Sequence, residues 1–189
     1  MMTLVLAGTL AAAAPWRPQI LEASARCGVP VEWIARVIHA ESRGRTHLGG
    51  RPIRSPKGAM GLMQLMPGTW AEMRRDLGLG DDPDAPRDNI LAGACYLRRM
   101  YDRFGHPGLF AAYNAGPARY ARALKGRLLP AETIAYLRVV AGDPAAAAHA
   151  GPASPPVLFA LRRTDAPTAA GEVSRAPVDP LFAIRADAR

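Results

Sequence analysis

Apolar residues in this chain recur at every third or fourth position, and nowhere do they alternate long enough for a strand. It can therefore fold only as a set of short helices separated by Gly and Pro breaks. Pro18 to Cys27 reads as a first helix, with Ile20, Leu21 and Ala25 on its inner side and Gly28-Val29-Pro30 as its stop. Val31 to Ser42 follows at once. Pro67 to Leu77 carries Trp70, Met73 and Leu77 on one face. Asp88 is expected to N-cap a longer helix to Phe104, with Ile90, Ala94, Leu97 and Tyr101 as its stripe. Short helices are expected over Gly108 to Asn114, Pro117 to Leu124 and Ala131 to Ala141. The segment Arg43 to Lys57, with Gly44, Gly49-Gly50, Pro52 and four arginines, reads as a mobile basic loop, and Gly80 to Pro86 as an acidic linker.

A chain of 189 residues holds one domain with a real core. Its expected extent is 15–142. Residues 143–189 turn to Ala, Pro, Gly, Ser and Thr without sustained periodicity and read as a disordered tail with two apolar islands, Val157 to Phe159 and Leu181 to Ile184. Residues 1–14 place the apolar run Leu4 to Leu10 before Ala11 to Ala14, the pattern of a cleaved signal, although no Lys or Arg precedes it. The run is too short to span a bilayer. A net charge of +8 attracts polyanions in general, but basic residues are not interleaved with aromatics, which make up 6% of the chain, so nucleic acid is not an expected partner. Cys27 and Cys95 permit one disulfide or two buried thiols, and their spacing suits no metal site. His39 lies two residues before Glu41 without a His-Glu-x-x-His pattern, so neither metal nor cofactor is expected.

The chemistry centres on Glu41. Ile34, Val37 and Ile38 precede it by seven, four and three positions, so Glu41 extends the buried stripe of its helix. Burial and the negative end of the helix dipole both favour the protonated carboxyl, which is what a general acid needs near neutral pH. From Ser42 to Ala71 there is no Asp or Glu, so the second carboxylate of a conventional glycosidase pair would have to come from much further along.

Glu41-Ser42, then Gly58-Ala59-Met60-Gly61-Leu62-Met63-Gln64-Leu65-Met66-Pro67, then Ala112-Tyr113-Asn114-Ala115-Gly116-Pro117 form an ordered set of motifs. This set resembles the soluble-type (SLT) lytic transglycosylases, over about Pro18 to Val140. The resemblance implies a mostly α, lysozyme-like (goose-type) single domain acting on peptidoglycan, with Glu41 as its catalytic carboxylate. It implies that Ser55 hydrogen-bonds near that carboxyl, with about five more residues than usual between the two. By the same resemblance Met63 and Gln64 line the groove and contact an N-acetyl group, and Tyr113 and Asn114 flank the cleaved sugar. Glu132 then binds sugar while Tyr136 points toward the acid. Gly58 and Gly61 are expected to let the backbone pass close to a ligand.

The resulting expectation is an exported, periplasmic enzyme that cleaves between N-acetylmuramic acid and N-acetylglucosamine and leaves 1,6-anhydro ends. Small relatives of this kind serve secretion or conjugation machines, which the tail is a candidate to contact. Two alternatives stay open: a hydrolysing goose-type lysozyme, with a distant acid such as Asp88 as its second carboxylate, and an inactive wall-binding module.

Overall fold

A computed structural model describes residues 13–141. The expected signal, apart from Ala13 and Ala14, and the expected tail lie outside the described residues. A 3-10 turn, Ala14–Trp16, leads into α1 (Arg17–Cys27), α2 (Val31–Ser42), α3 (Pro67–Leu77), α4 (Pro86–Phe104), α5 (Gly108–Ala115), α6 (Pro117–Ala123) and α7 (Ala131–Val140). The helical boundaries follow the Gly and Pro punctuation closely. Pro lies in the first turn of α1, α3, α4 and α6, where its missing N–H costs nothing.

The axis of the fold is α4. Asn89, Ile90, Leu91, Ala92, Gly93 and Ala94 are consecutive and all buried, so this turn is enclosed on every side. Small residues make that possible: α1, α3 and α5 all pack on α4, and at Gly93 a Cβ would lie 2.4 Å from the Met63 sulfur. Further along, the buried member of the stripe is Met100, while Tyr101 turns outward and tilts against Trp33 at 5.5 Å. The helix takes no side-chain cap from Asp88. It begins at Pro86, and the Asp88 carboxylate in its first turn accepts from Gly80 N–H at 2.9 Å, holding the acidic linker.

Two other expectations need correction. On α1 the buried residues are Ile20, Ala23 and Cys27, whereas Leu21 is 47% exposed. Ile20 is buried as expected, and contact with α4 selects Ala23 and Cys27 over Leu21 and Ala25 as its companions. The segment expected as an irregular loop contains an antiparallel hairpin, β1 (His47–Leu48) and β2 (Arg51–Pro52), turning at Gly49-Gly50. Ile53 then enters the interior, and Arg54 pairs bidentately with Asp84 at 2.5 and 2.6 Å. The strands are too short for alternation to register in the sequence.

Cys27 and Cys95 form a disulfide that ties the end of α1 to α4 across 68 positions. Closing a loop of that length stabilises the fold by roughly 4 kcal/mol in the chain-entropy view. Denatured, unreduced protein should show no titratable thiol, and reduction should lower the free energy of unfolding by an amount of that order in a denaturant titration. Two free thiols per chain would refute the bridge.

Candidate active site

The last turn of α2 carries Glu41 above a completely buried stripe of Ile34, Val37 and Ile38. Arg43 ends the helix in the left-handed conformation (φ 54°), and its N–H donates to the His39 carbonyl at 3.1 Å. Glu41 itself is half-buried at the bottom of a cleft. Burial raises its carboxyl pKa from 4.5 to about 7. The Tyr136 hydroxyl opposes that shift, and the negative charge of Glu132 adds to it. Near neutral pH a large fraction of Glu41 therefore holds a proton it can donate.

The cleft is formed by adjoining cavities that share residues. One, of about 360 Å³, is bordered by Glu41, Ser55, Gln64, Tyr113, Asn114 and Glu132. A second, of about 430 Å³, lies toward α7 and adds His39, Arg43 and Tyr136 to Glu41, Asn114 and Glu132. Ser55 thus stands in the same cavity as Glu41. The hairpin absorbs the extra residues between them, and the Ser55 hydroxyl accepts from Ala59 N–H at 3.0 Å.

Opposite Glu41, α5 presents Tyr113 and Asn114. Tyr113 donates to the Met63 carbonyl at 2.8 Å, and burial with the nearby charge of Glu41 holds its own pKa well above 10. Asn114 is oriented by Thr133, whose hydroxyl bonds its Oδ1 at 2.8 Å, leaving the amide nitrogen free to donate into the cleft. Tyr136, one turn along α7, is equally kept protonated by burial and by the charge of Glu41. Its hydroxyl is buried without a well-formed hydrogen bond.

Residues 18–129 match the transglycosylase SLT domain. The chain belongs to the transglycosylase SLT family. It is 43% identical over 74 residues to a soluble lytic murein transglycosylase of Salmonella typhimurium, covering 35% of this chain and 12% of that one. It is also 31% identical over 135 residues to a transglycosylase of Enterobacteria phage PRD1, covering 71% of this chain and 47% of the phage protein. The chain thus spans about an eighth of the first relative's length and about half of the second's. Its structure resembles the 70 kDa soluble lytic transglycosylase of Escherichia coli with a TM-score of 0.56 at 25% identity, over 70% of this chain and 24% of that one. The fold is accordingly the mostly helical, lysozyme-like one. The family match ends before α7, so Glu132 and Tyr136 lie beyond it.

Against the residues expected from the sequence, the cleft gathers Glu41, Ser55, Gln64, Tyr113, Asn114, Glu132 and Tyr136. Met63 is the exception. Its side chain is fully buried against Gly93, so it cannot line the groove, and only its backbone acts there, accepting from Tyr113. Gly61 also differs from expectation: a Cβ there would collide with the Asn89 amide at 2.3 Å, so the missing side chain makes room for Asn89 and not for a ligand. At Gly58 an added Cβ would meet nothing within 4 Å, and its need is conformational (φ 85°).

Sequence reasoning missed Asn89 and Thr133. Fully buried Asn89 donates to the carbonyls of Met60 (3.1 Å) and Pro83 (2.9 Å) and accepts from Met63 N–H at 2.8 Å. It thereby shapes the loop that ends with Gln64 in the left-handed conformation (φ 49°), the Gln64 amide donating to Gly61 O at 2.8 Å. The available signal was a lone amide beside the apolar run Ile90-Leu91-Ala92, which requires buried partners.

Two predictions follow from this geometry. Replacing Thr133 by Val keeps its shape but frees Asn114 to rotate; any turnover in this cleft should fall about tenfold, with one hydrogen bond of roughly 1 kcal/mol lost from stability. Thr133→Ser should restore the rate, which distinguishes positioning from packing. The second concerns pH. The folded-state pKa of Glu41 lies above its unfolded value, so its contribution is most favourable below about 4.5 and is lost as pH rises through about 7. Glu41→Gln should therefore stabilise the protein at pH 8, by up to about 3 kcal/mol, and bring no gain at pH 4. Thermal unfolding of both proteins across this range checks it.

Proposed function

We propose that the chain is a peptidoglycan lytic transglycosylase in which Glu41 serves first as acid and then as base. The observation that carries this reading is a carboxyl with its pKa raised to about 7, half-buried in a cleft that Tyr113, Asn114 and Tyr136 also line. In the first step Glu41 gives its proton to the glycosidic oxygen between N-acetylmuramic acid and N-acetylglucosamine. The C1–O bond breaks, and the acetamido oxygen of the muramic acid closes on C1. In the second step the Glu41 carboxylate takes the proton from the 6-hydroxyl, and that oxygen displaces the acetamido oxygen from C1. Glu41 is thereby reprotonated, no water is consumed, and the product ends in a 1,6-anhydro ring. Asn114, its amide oriented by Thr133, and Gln64 supply donors for N-acetyl and hydroxyl groups.

Glu132 gives the hydrolytic alternative its one specific support, since it shares both of these cavities with Glu41. Its side chain is 74% exposed and meets Lys57 at 3.9 Å, a solvated carboxylate better suited to holding a sugar hydroxyl than to activating water. Asp88, the other acid considered, is engaged with Gly80 and Arg87 and does not border the cleft.

The disulfide fits an oxidising compartment, and the substrate lies outside the cytoplasm, so we assign the enzyme to the periplasm after export. Among the described residues no helix is long and apolar enough to cross a membrane. Local wall opening for a secretion or conjugation machine, contacted through residues 143–189, completes the proposal. No matched residue lies in that segment, so truncation after Gly142 should spare cleavage of short soluble glycans.

Product analysis decides the chemistry. Muropeptides released by the wild-type protein should be lighter by one water than reducing-end products and should resist borohydride. Glu41→Gln should lower release by several orders of magnitude while binding persists, and kcat/KM of the wild type should fall as pH rises past about 7. Reducible muramic acid ends would identify a hydrolase. Unchanged cleavage by the Gln variant would remove Glu41 from the mechanism.

A further inference from the structure

The proposed chemistry leaves one arm of the cleft unused. Past Gln64 and Tyr113 the groove continues into a cavity of about 350 Å³ whose wall includes Met66, Thr69 and Tyr96. Two cations reach it from separate parts of the chain, Lys57 from the segment before Gly58 and Arg119 from α6. No Asp or Glu lines it, whereas Glu41 and Glu132 border the cavities at the other end. Lys57 and Arg43 stand with those acids in the other two cavities, so of the three this arm alone has a charged lining that is wholly positive.

These cations are available to a ligand. The contact of Lys57 with Glu132 is 3.9 Å long between side chains that are both about three-quarters exposed, a pairing that water screens. Among the described residues Arg119 has neither an ion pair nor a hydrogen bond, unlike Arg54, Arg87 and Arg99, each held by a carboxylate. Beside them Tyr96 and Tyr113 pack at 5.5 Å and offer aromatic surface of the kind that receives a sugar ring. A chain of N-acetylated sugars is neutral along its backbone, so only a charged substituent gives two cations something to recognise.

We propose that this arm is a carboxylate subsite, in which Lys57 and Arg119 bind the anionic substituent of a glycan whose next sugars lie over Glu41. This rests on the reading of the substrate as peptidoglycan. Its carboxylates come from two sources, the peptide and, where the peptide has been removed, the lactyl group of muramic acid, whose carboxyl is otherwise held in the amide bond to that peptide. Recognition here sets which strands are engaged and leaves the bond-breaking step to the residues around Glu41.

The test measures binding by the full-length Glu41→Gln protein, with and without Lys57→Gln and Arg119→Gln together, so that turnover plays no part. The probes are soluble strands with intact peptides, strands stripped of peptides by an amidase, and neutral N-acetylglucosamine oligomers. At low salt the paired substitution should weaken binding of carboxylate-bearing strands about three- to tenfold, leave the neutral oligomer unchanged, and flatten the salt dependence. A loss confined to peptide-bearing strands assigns the subsite to a peptide carboxylate, a loss confined to stripped strands assigns it to the freed lactyl carboxylate, and a loss on both shows that either can occupy it. Undiminished binding of charged strands overturns the proposal, as does an equal loss on the neutral oligomer. Failure of the parent protein to bind any of the three would overturn the glycan reading and the subsite with it; binding of all three with no preference for the charged strands overturns the subsite alone.

Discussion

Enclosure of one turn of α4 on all sides determines how everything else is arranged. Because Asn89 to Ala94 have no exposed face, α1, α3 and α5 must each come to them, and the residues there are small enough to let those helices approach. The same turn builds the cleft. Gly93 receives the Met63 side chain, and Asn89 binds the backbone of Met60, Met63 and Pro83, so a loop with little regular structure gains a defined shape from a buried helix. A buried amide without those three bonds would cost several kcal/mol, and with them it locks the loop.

The cleft therefore has one wall held by α4 and another carried by α7. Arg36 on α2 donates to the carbonyls of Val140 and Ala141, both at 3.3 Å, and so fastens the end of α7 to the helix that carries Glu41. Thr133 reaches from α7 to Asn114 on α5. Glu41, the Asn114 amide and the Tyr136 hydroxyl are set by separate helices that are tied to one another, the kind of pre-organisation that lets binding energy position a ligand. The stability lost by keeping Glu41 in a poorly hydrated place is what leaves its carboxyl able to hold a proton near neutral pH.

Much of this was legible in the residues. Helix boundaries were readable because Gly and Pro act locally: a residue that cannot continue a helix ends it whatever surrounds it. The burial of Glu41 was readable because Ile34, Val37 and Ile38 share its face, and periodicity reports faces. Tyr113, Asn114 and Gln64 were recognised by motif and do reach the cleft. Met63 belongs to the same motif and does not, because a motif records which residues occur together without saying which way each side chain points.

What the sequence alone determined, then, was the period of each helix, its ends and the acid in its apolar stripe, all of which depend on neighbours a few positions away. What only the tertiary structure decided was which of two helical stripes on α1 is buried, that an insertion folds as a hairpin, that Asp88 holds the linker instead of capping a helix, and that Asn89 and Thr133 orient the cleft. Apart from the hairpin, whose paired residues lie three and five positions apart, each of these depends on a partner more than four residues distant, brought close by packing. Local periodicity carries no information about that partner, since the same stripe buries as much apolar area against one neighbour as against another until the remaining helices are in place.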